Sequence, residues 1–112
     1  MAKDANFGRV LTAMVTPFAP DGSVDYEQAG RLAKMLLASG SDGLVLTGTT
    51  GETPTLSIEE QVAVWRAVRR AVGPDATVIG GASTNSTSES LEMVREGVSA
   101  GMTGLMFTVP YY

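Results

Sequence analysis

With 112 residues, 44% of them hydrophobic, the chain can form one domain with a buried core, and no stretch approaches the ~18 consecutive apolar residues of a membrane span. It holds no cysteine and no histidine, which excludes disulfides, thiolate or imidazole metal sites, a cysteine nucleophile and a Ser-His-Asp triad. A net charge of −4 with scattered basic residues argues against a nucleic-acid partner. The polar start, Met-Ala-Lys-Asp-Ala-Asn, lacks the apolar core of a signal peptide, so a cytoplasmic protein is expected. Chemistry is left to hydroxyls, carboxylates, lysine and the backbone.

Taken in order, Arg9 to Val15 is an apolar, β-rich run that stops at Thr16-Pro17-Phe18 and predicts strand one. Pro20-Asp21-Gly22-Ser23 has turn chemistry, and Asp25 followed by Gln28 is a capping-box pattern that starts a helix. Ala29, Leu32, Ala33, Leu36 and Leu37 give that helix one apolar stripe, and Gly40 caps its end. Gly43 to Thr47 predicts a second strand, apolar enough to be buried on both faces. It runs into Gly48-Thr49-Thr50-Gly51-Glu52, where the glycines are expected to take φ > 0 and let the backbone approach a ligand. N–H groups and two adjacent hydroxyls at a strand's carboxyl end suit a small anion. Alone, the same residues also read as a plain turn.

Ser57 with Glu60 is a second capping box, and the helix after it carries Val62, Trp65, Val68 and Val72 until Gly73-Pro74. Thr77 to Gly80 predicts strand three, and Gly81 to Ser86 a polar loop. Ser86 with Glu89 caps a third helix with Leu91, Val94 and Val98 on one face; Gly104 to Val109 predicts strand four, closed by Pro110-Tyr111-Tyr112. The order βαβαβαβ with short connections implies parallel strands and crossover helices. Leu37 to Thr47 resembles Val98 to Thr108, and the offset from Gly40 to Gly101 is about two βα units at ~30 residues each. Repeated units favour a barrel. An open doubly wound sheet would carry a glycine-rich fingerprint after strand one, where Thr16-Pro17-Phe18 stands.

Three motifs together, Leu11-Thr12-Ala13-Met14-Val15-Thr16-Pro17-Phe18, Gly48-Thr49-Thr50-Gly51-Glu52 and Pro110-Tyr111-Tyr112, resemble the dihydrodipicolinate synthases. These belong to the pyruvate-dependent aldolase and lyase superfamily that includes N-acetylneuraminate lyase. The resemblance runs from about Gly8 onward, and each motif lies at or just after the carboxyl end of a predicted strand. It implies an α/β fold, the (β/α)8 TIM barrel with an added C-terminal helical region, with its active site at the strands' carboxyl ends. Residues 1–112 are then the N-terminal part of a single barrel domain, about its first half, with the remainder and the helical region absent.

By the same resemblance, Thr50, with backbone amides including that of Gly51, holds the carboxylate of pyruvate. Thr49 is the hydroxyl of a Tyr-Thr-Tyr proton relay, and Tyr112 is a relay tyrosine that reaches a neighbouring subunit's site across a dimer interface. A hydroxyl between two phenols passes protons without holding charge. The family condenses pyruvate, held as a Schiff base on a lysine, with aspartate semialdehyde in the diaminopimelate route of lysine biosynthesis. It works as a homo-oligomer, a dimer of dimers, with no metal and no organic cofactor. Lys3, near the terminus, and Lys34, in mid-helix, both read as solvated charges rather than a Schiff-base amine. The family's lysine falls on a later strand, so the chain alone is expected to be inactive. Strands one and four would be unpaired edges, which predicts marginal stability or self-pairing.

Some members bind lysine as a feedback inhibitor at the dimer interface, and Asn85, Glu89 and Tyr111 match polar residues used there. Ile58 and Gln61 stand where lysine-inhibited bacterial members carry histidines, and Asn85 and Glu89 also read as helix-capping residues. Two alternatives stand beside the synthase: a related 2-keto-acid aldolase or N-acetylneuraminate lyase, and a non-catalytic half-barrel that binds a carboxylate or mediates assembly. An unrelated flavodoxin-like module is a third, without a supporting fingerprint.

Overall fold

The computed structural model describes residues 6–111. Lys3 and Tyr112, both weighed for chemistry above, lie outside the described residues. Strands and helices alternate as β1 (Leu11–Ala13), α1 (Tyr26–Ala38), β2 (Gly43–Leu46), α2 (Ile58–Val72), β3 (Thr77–Gly81), α3 (Thr87–Ala100) and β4 (Gly104–Met106). One turn of 3₁₀ helix, Thr53–Thr55, follows the Gly-Thr-Thr-Gly turn. The predicted βαβαβαβ order is observed, with the outer strands shorter than their apolar runs. Beyond β1 the N–H groups of Arg9 and Val10 bond to the Asp42 carboxylate, and beyond β4 the Thr108 N–H bonds to Ser83 Oγ. Side chains have taken over from the ladder there.

The strands are all parallel and lie in the order β1-β2-β3-β4, with Ala13, Val45, Ile79 and Gly104 in register. Sequential order without a switch point is the wall of a barrel, not a doubly wound sheet. α1 packs on α2 and α2 on α3. Leu44, Leu46 and Val78 face these helices and are fully buried with Trp65, Val68 and Met93. On the opposite face Leu11 and Met106 remain partly exposed. The internal repeat is structural: Asp42 sends its N–H to the Val10 carbonyl, and its counterpart Thr103 sends its own to the Val78 carbonyl, both at 2.8 Å.

Ser57 makes a complete capping box with Glu60, whereas Asp25 and Ser86 supply only the side-chain acceptor of theirs. The apolar stripe expected on α3 is not the buried one. Leu91 and Val98 are 56% and 73% exposed, while Met93, Gly97 and Ala100 face the core. A Cβ on Gly97 would lie 2.5 Å from Leu105 Cδ2, so α3 packs against β4 through its small residues. Closeness of approach outweighed side-chain size.

Asp42 accepts the N–H groups of Val10 and Arg9, each at 2.8 Å, and these bonds hold its carboxyl below the ordinary aspartate range. A depressed folded value means that the stabilisation is present above the unfolded pKa and lost as pH falls through the folded one. Asp42→Ala is therefore expected to lower the melting temperature at neutral pH, and the gap from the parent chain should close below about pH 4. A gap undiminished at pH 2 in paired thermal melts would contradict this.

Candidate functional site

The carboxyl ends of β2, β3 and β4 open onto one cavity of about 480 Å³, lined by Thr47, Gly48, Thr49 and Pro54 on one side and by Ser83, Met106 and Tyr111 on the other. Among the described residues no charged side chain lines it. A hollow of similar size, about 460 Å³, lies between α1 and α2 and includes Arg31, Lys34 and Arg70, but among the described residues no strand end and no predicted site residue lines it.

The turn after β2 closes on itself. The Gly51 N–H donates to the Gly48 carbonyl at 3.0 Å, Glu52 to Thr49 at 3.0 Å, and Thr53 back to Gly48 at 3.3 Å. The N–H groups of Gly48, Thr49 and Thr50 have no backbone partner among the described residues, and Thr49 and Thr50 are exposed. Successive N–H groups left free in this way, with hydroxyls beside them, are donors that an anion can use.

The conformational detail corrects the sequence expectation. Positive φ falls on Thr47 (52°) and Glu52 (62°), not on Gly48 or Gly51. The left-handed steps sit where the chain leaves β2 and where it enters the 3₁₀ turn. Gly51 is needed for proximity instead, because a Cβ there would lie 3.0 Å from Thr47 Cα and 3.2 Å from Thr16 Oγ1.

Of the residues singled out, Thr49 and Tyr111 line the cavity. Thr50 lies beside it on the turn, and Gly51 is buried beneath, its carbonyl accepting the Thr16 hydroxyl at 2.7 Å. Asn85 and Tyr111 are brought together: Asn85 Oδ1 accepts the Tyr111 N–H at 3.0 Å, so Asn85 anchors the segment after β4. Glu89 stands exposed in the first turn of α3, its N–H capped by Ser86 Oγ. Tyr112 lies outside the described residues.

Several supporting contacts could not be read from the sequence. Ser83 Oγ accepts the Thr108 N–H at 2.6 Å and fixes the far wall of the cavity. Gln61, buried on α2, donates to the Leu56 carbonyl at 3.2 Å and accepts the Thr53 hydroxyl at 3.2 Å, pinning the 3₁₀ turn to the helix. Thr47, only 1% exposed, accepts the Trp65 indole N–H at 2.9 Å and donates to the Gly81 carbonyl at 3.2 Å. A signal existed for the last contact. A tryptophan on the buried stripe of a helix needs an acceptor for its N–H, and Thr47 is the hydroxyl at the adjacent strand end.

A profile of the Dihydrodipicolinate synthetase family matches residues 6–112. The chain is 57% identical over 106 residues to the 4-hydroxy-tetrahydrodipicolinate synthase of Moorella thermoacetica, covering 95% of this chain and 36% of that protein. It therefore spans about a third of the length of the curated relatives it matches. Among solved structures, it superposes with a TM-score of 0.91 and 44% identity on the dihydrodipicolinate synthase of Cyanidioschyzon merolae with lysine bound, covering 95% of this chain and 36% of that one. For the chloride-inhibited synthase of Acinetobacter baumannii complexed with pyruvate the TM-score is 0.90 at 32% identity, covering 96% and 37%.

Proposed function

Because the chain belongs to the dihydrodipicolinate synthetase family, we propose that it supplies the carboxylate-binding and proton-relay part of a lyase that joins pyruvate to aspartate semialdehyde. The product is 4-hydroxy-tetrahydrodipicolinate. The observation that carries this reading is the set of N–H groups on Gly48, Thr49 and Thr50 that have no backbone partner among the described residues, with the two threonine hydroxyls, on the turn beside the cavity. Among the described residues no cation lines the cavity, and the oriented dipoles of this turn are the groups there that can hold a carboxylate. Pyruvate is the ligand of the Acinetobacter baumannii relative, which supports the choice of acid.

In this reading Thr50 and the free amides take the carboxylate of pyruvate. Gly51 contributes through shape, since its own N–H is already spent on Gly48. Condensation of the keto group with a lysine amine releases water and leaves an imine. Thr49 passes the protons this requires between two tyrosines, one of them Tyr112 serving a neighbouring subunit in a dimer of dimers. Lys34 is the one lysine among the described residues and stands exposed on α1, so the amine is not drawn from it. The lysine-bound relative supports a regulatory role for Asn85, Glu89 and Tyr111 less well than Asn85's own bond to the Tyr111 amide supports an anchoring role.

Titration of the ¹⁵N-labelled chain with pyruvate tests the reading. The amide signals of residues 48–50 should move saturably, and Thr50→Val should weaken binding by about tenfold, the worth of one hydrogen bond to a charged group. No movement at high pyruvate, or an unchanged affinity in Thr50→Val, would sink it.

A further inference from the structure

Thr47 combines three features that are unusual together. It is β-branched and yet left-handed at φ 52°, it is only 1% exposed, and its hydroxyl is held between the Trp65 indole N–H and the Gly81 carbonyl. A β-branched residue in this conformation is a genuine outlier, and it persists only where its surroundings over-determine it. Those surroundings are visible. A Cβ on Gly81 would lie 2.5 Å from the Thr47 carbonyl oxygen, and a Cβ on Gly51 would lie 3.0 Å from Thr47 Cα, so two bare glycines close in on its backbone. Trp65, with no exposed surface, holds the hydroxyl from the helix side. The residue on which all this converges is the last before the three free amides.

We infer that Thr47 is a positioning residue for the anion-binding turn: the Trp65 indole and the Gly81 carbonyl hold it left-handed, and that conformation turns the Gly48–Thr50 backbone out of the ladder of β2 to present its N–H groups. The inference deepens the carboxylate reading above and rests on it for the identity of the ligand. Thr47 itself need not touch pyruvate. Its hydroxyl is bonded to protein on both sides, so it acts through the backbone it steers.

The comparison of Thr47→Val with Thr47→Ser tests this. Valine keeps the branching and removes the hydroxyl, while serine keeps the hydroxyl. Trp65 is the only tryptophan in the sequence, so its indole N–H gives a single resonance that reports on the contact directly. Thr47→Val should shift that resonance, speed its hydrogen exchange at least tenfold, displace the amide signals of residues 48–50 and weaken pyruvate binding by about tenfold. Thr47→Ser should restore pyruvate affinity to within about threefold of the parent chain. Trp65→Phe, which removes the indole N–H together with part of the buried ring, should match Thr47→Val in pyruvate affinity and covers the case in which Thr47→Val fails to fold.

Amide signals that stay in place in Thr47→Val overturn the inference whatever pyruvate does. So does parental affinity for pyruvate in folded Thr47→Val or Trp65→Phe. A parent chain that ignores pyruvate sinks the carboxylate reading instead, and displaced amides in Thr47→Val would then still support the hold of Thr47 on the turn.

Discussion

Trp65→Ala is expected to lower the stability of the chain by about 3–5 kcal/mol, the usual result of emptying a buried aromatic site. Trp65 has no exposed surface and packs directly beneath the sheet, where its ring edge would stand 2.9 Å from a Cβ on Gly80. Two effects add. The ring leaves a cavity that the surrounding valines and Met93 are too constrained to fill, and the Thr47 hydroxyl loses the N–H donor it faces. A domain of ordinary stability has only about 5–15 kcal/mol in hand, so the variant should begin to unfold near ambient temperature. Paired urea melts decide it: a midpoint shift worth under about 1 kcal/mol would mean that Trp65 is not the centre of the core.

Gly81→Ala should cost about 2–3 kcal/mol, a large effect for one methyl group. Overpacking is cheap when the atoms met are the ends of flexible side chains. Here they are backbone: the Thr47 carbonyl oxygen at 2.5 Å, its carbon at 2.9 Å and the Leu46 carbonyl oxygen at 3.0 Å. Relief requires β2 and β3 to part at the point where they pair, Leu46 opposite Gly80. Because the displaced atoms belong to Thr47, the same substitution should weaken pyruvate binding in whatever fraction stays folded. A stable Gly81→Ala chain with parental amide shifts at residues 48–50 would contradict both parts. Gly22, where a Cβ would meet nothing within 4 Å, is a contrasting exposed site, its own strain being only the positive φ of a turn.

The element order was legible because each signal was local. Helix starts at Asp25, Ser57 and Ser86 each place a side-chain oxygen three residues before the N–H it caps, and all three make that bond. The repeated Gly40 and Gly101 stations foretold matching strand starts for the same reason. The Gly-Thr-Thr-Gly turn could be located by its composition, but not its torsions. Sequence rules place φ > 0 on glycine, whereas the structure places it on Thr47 and Glu52 and uses Gly51 and Gly81 for clearance. The buried face of α3 was misread on similar grounds. Leu91, Val94 and Val98 form the more apolar stripe, yet the position of Leu105 in β4 admits only the side of the helix that carries Gly97.

What the sequence by itself determined is therefore what depends on neighbours within about four residues: the strands, the caps and the place of the Gly-Thr-Thr-Gly turn. Only the tertiary structure decided how that turn is held. Thr16 bonds to Gly51, and Thr47 bonds to Trp65 and Gly81; these bonds join four separate segments and span from 18 to 35 positions in the chain. Clearance, like a hydrogen bond between side chains of distant elements, exists only once the sheet has set those elements side by side.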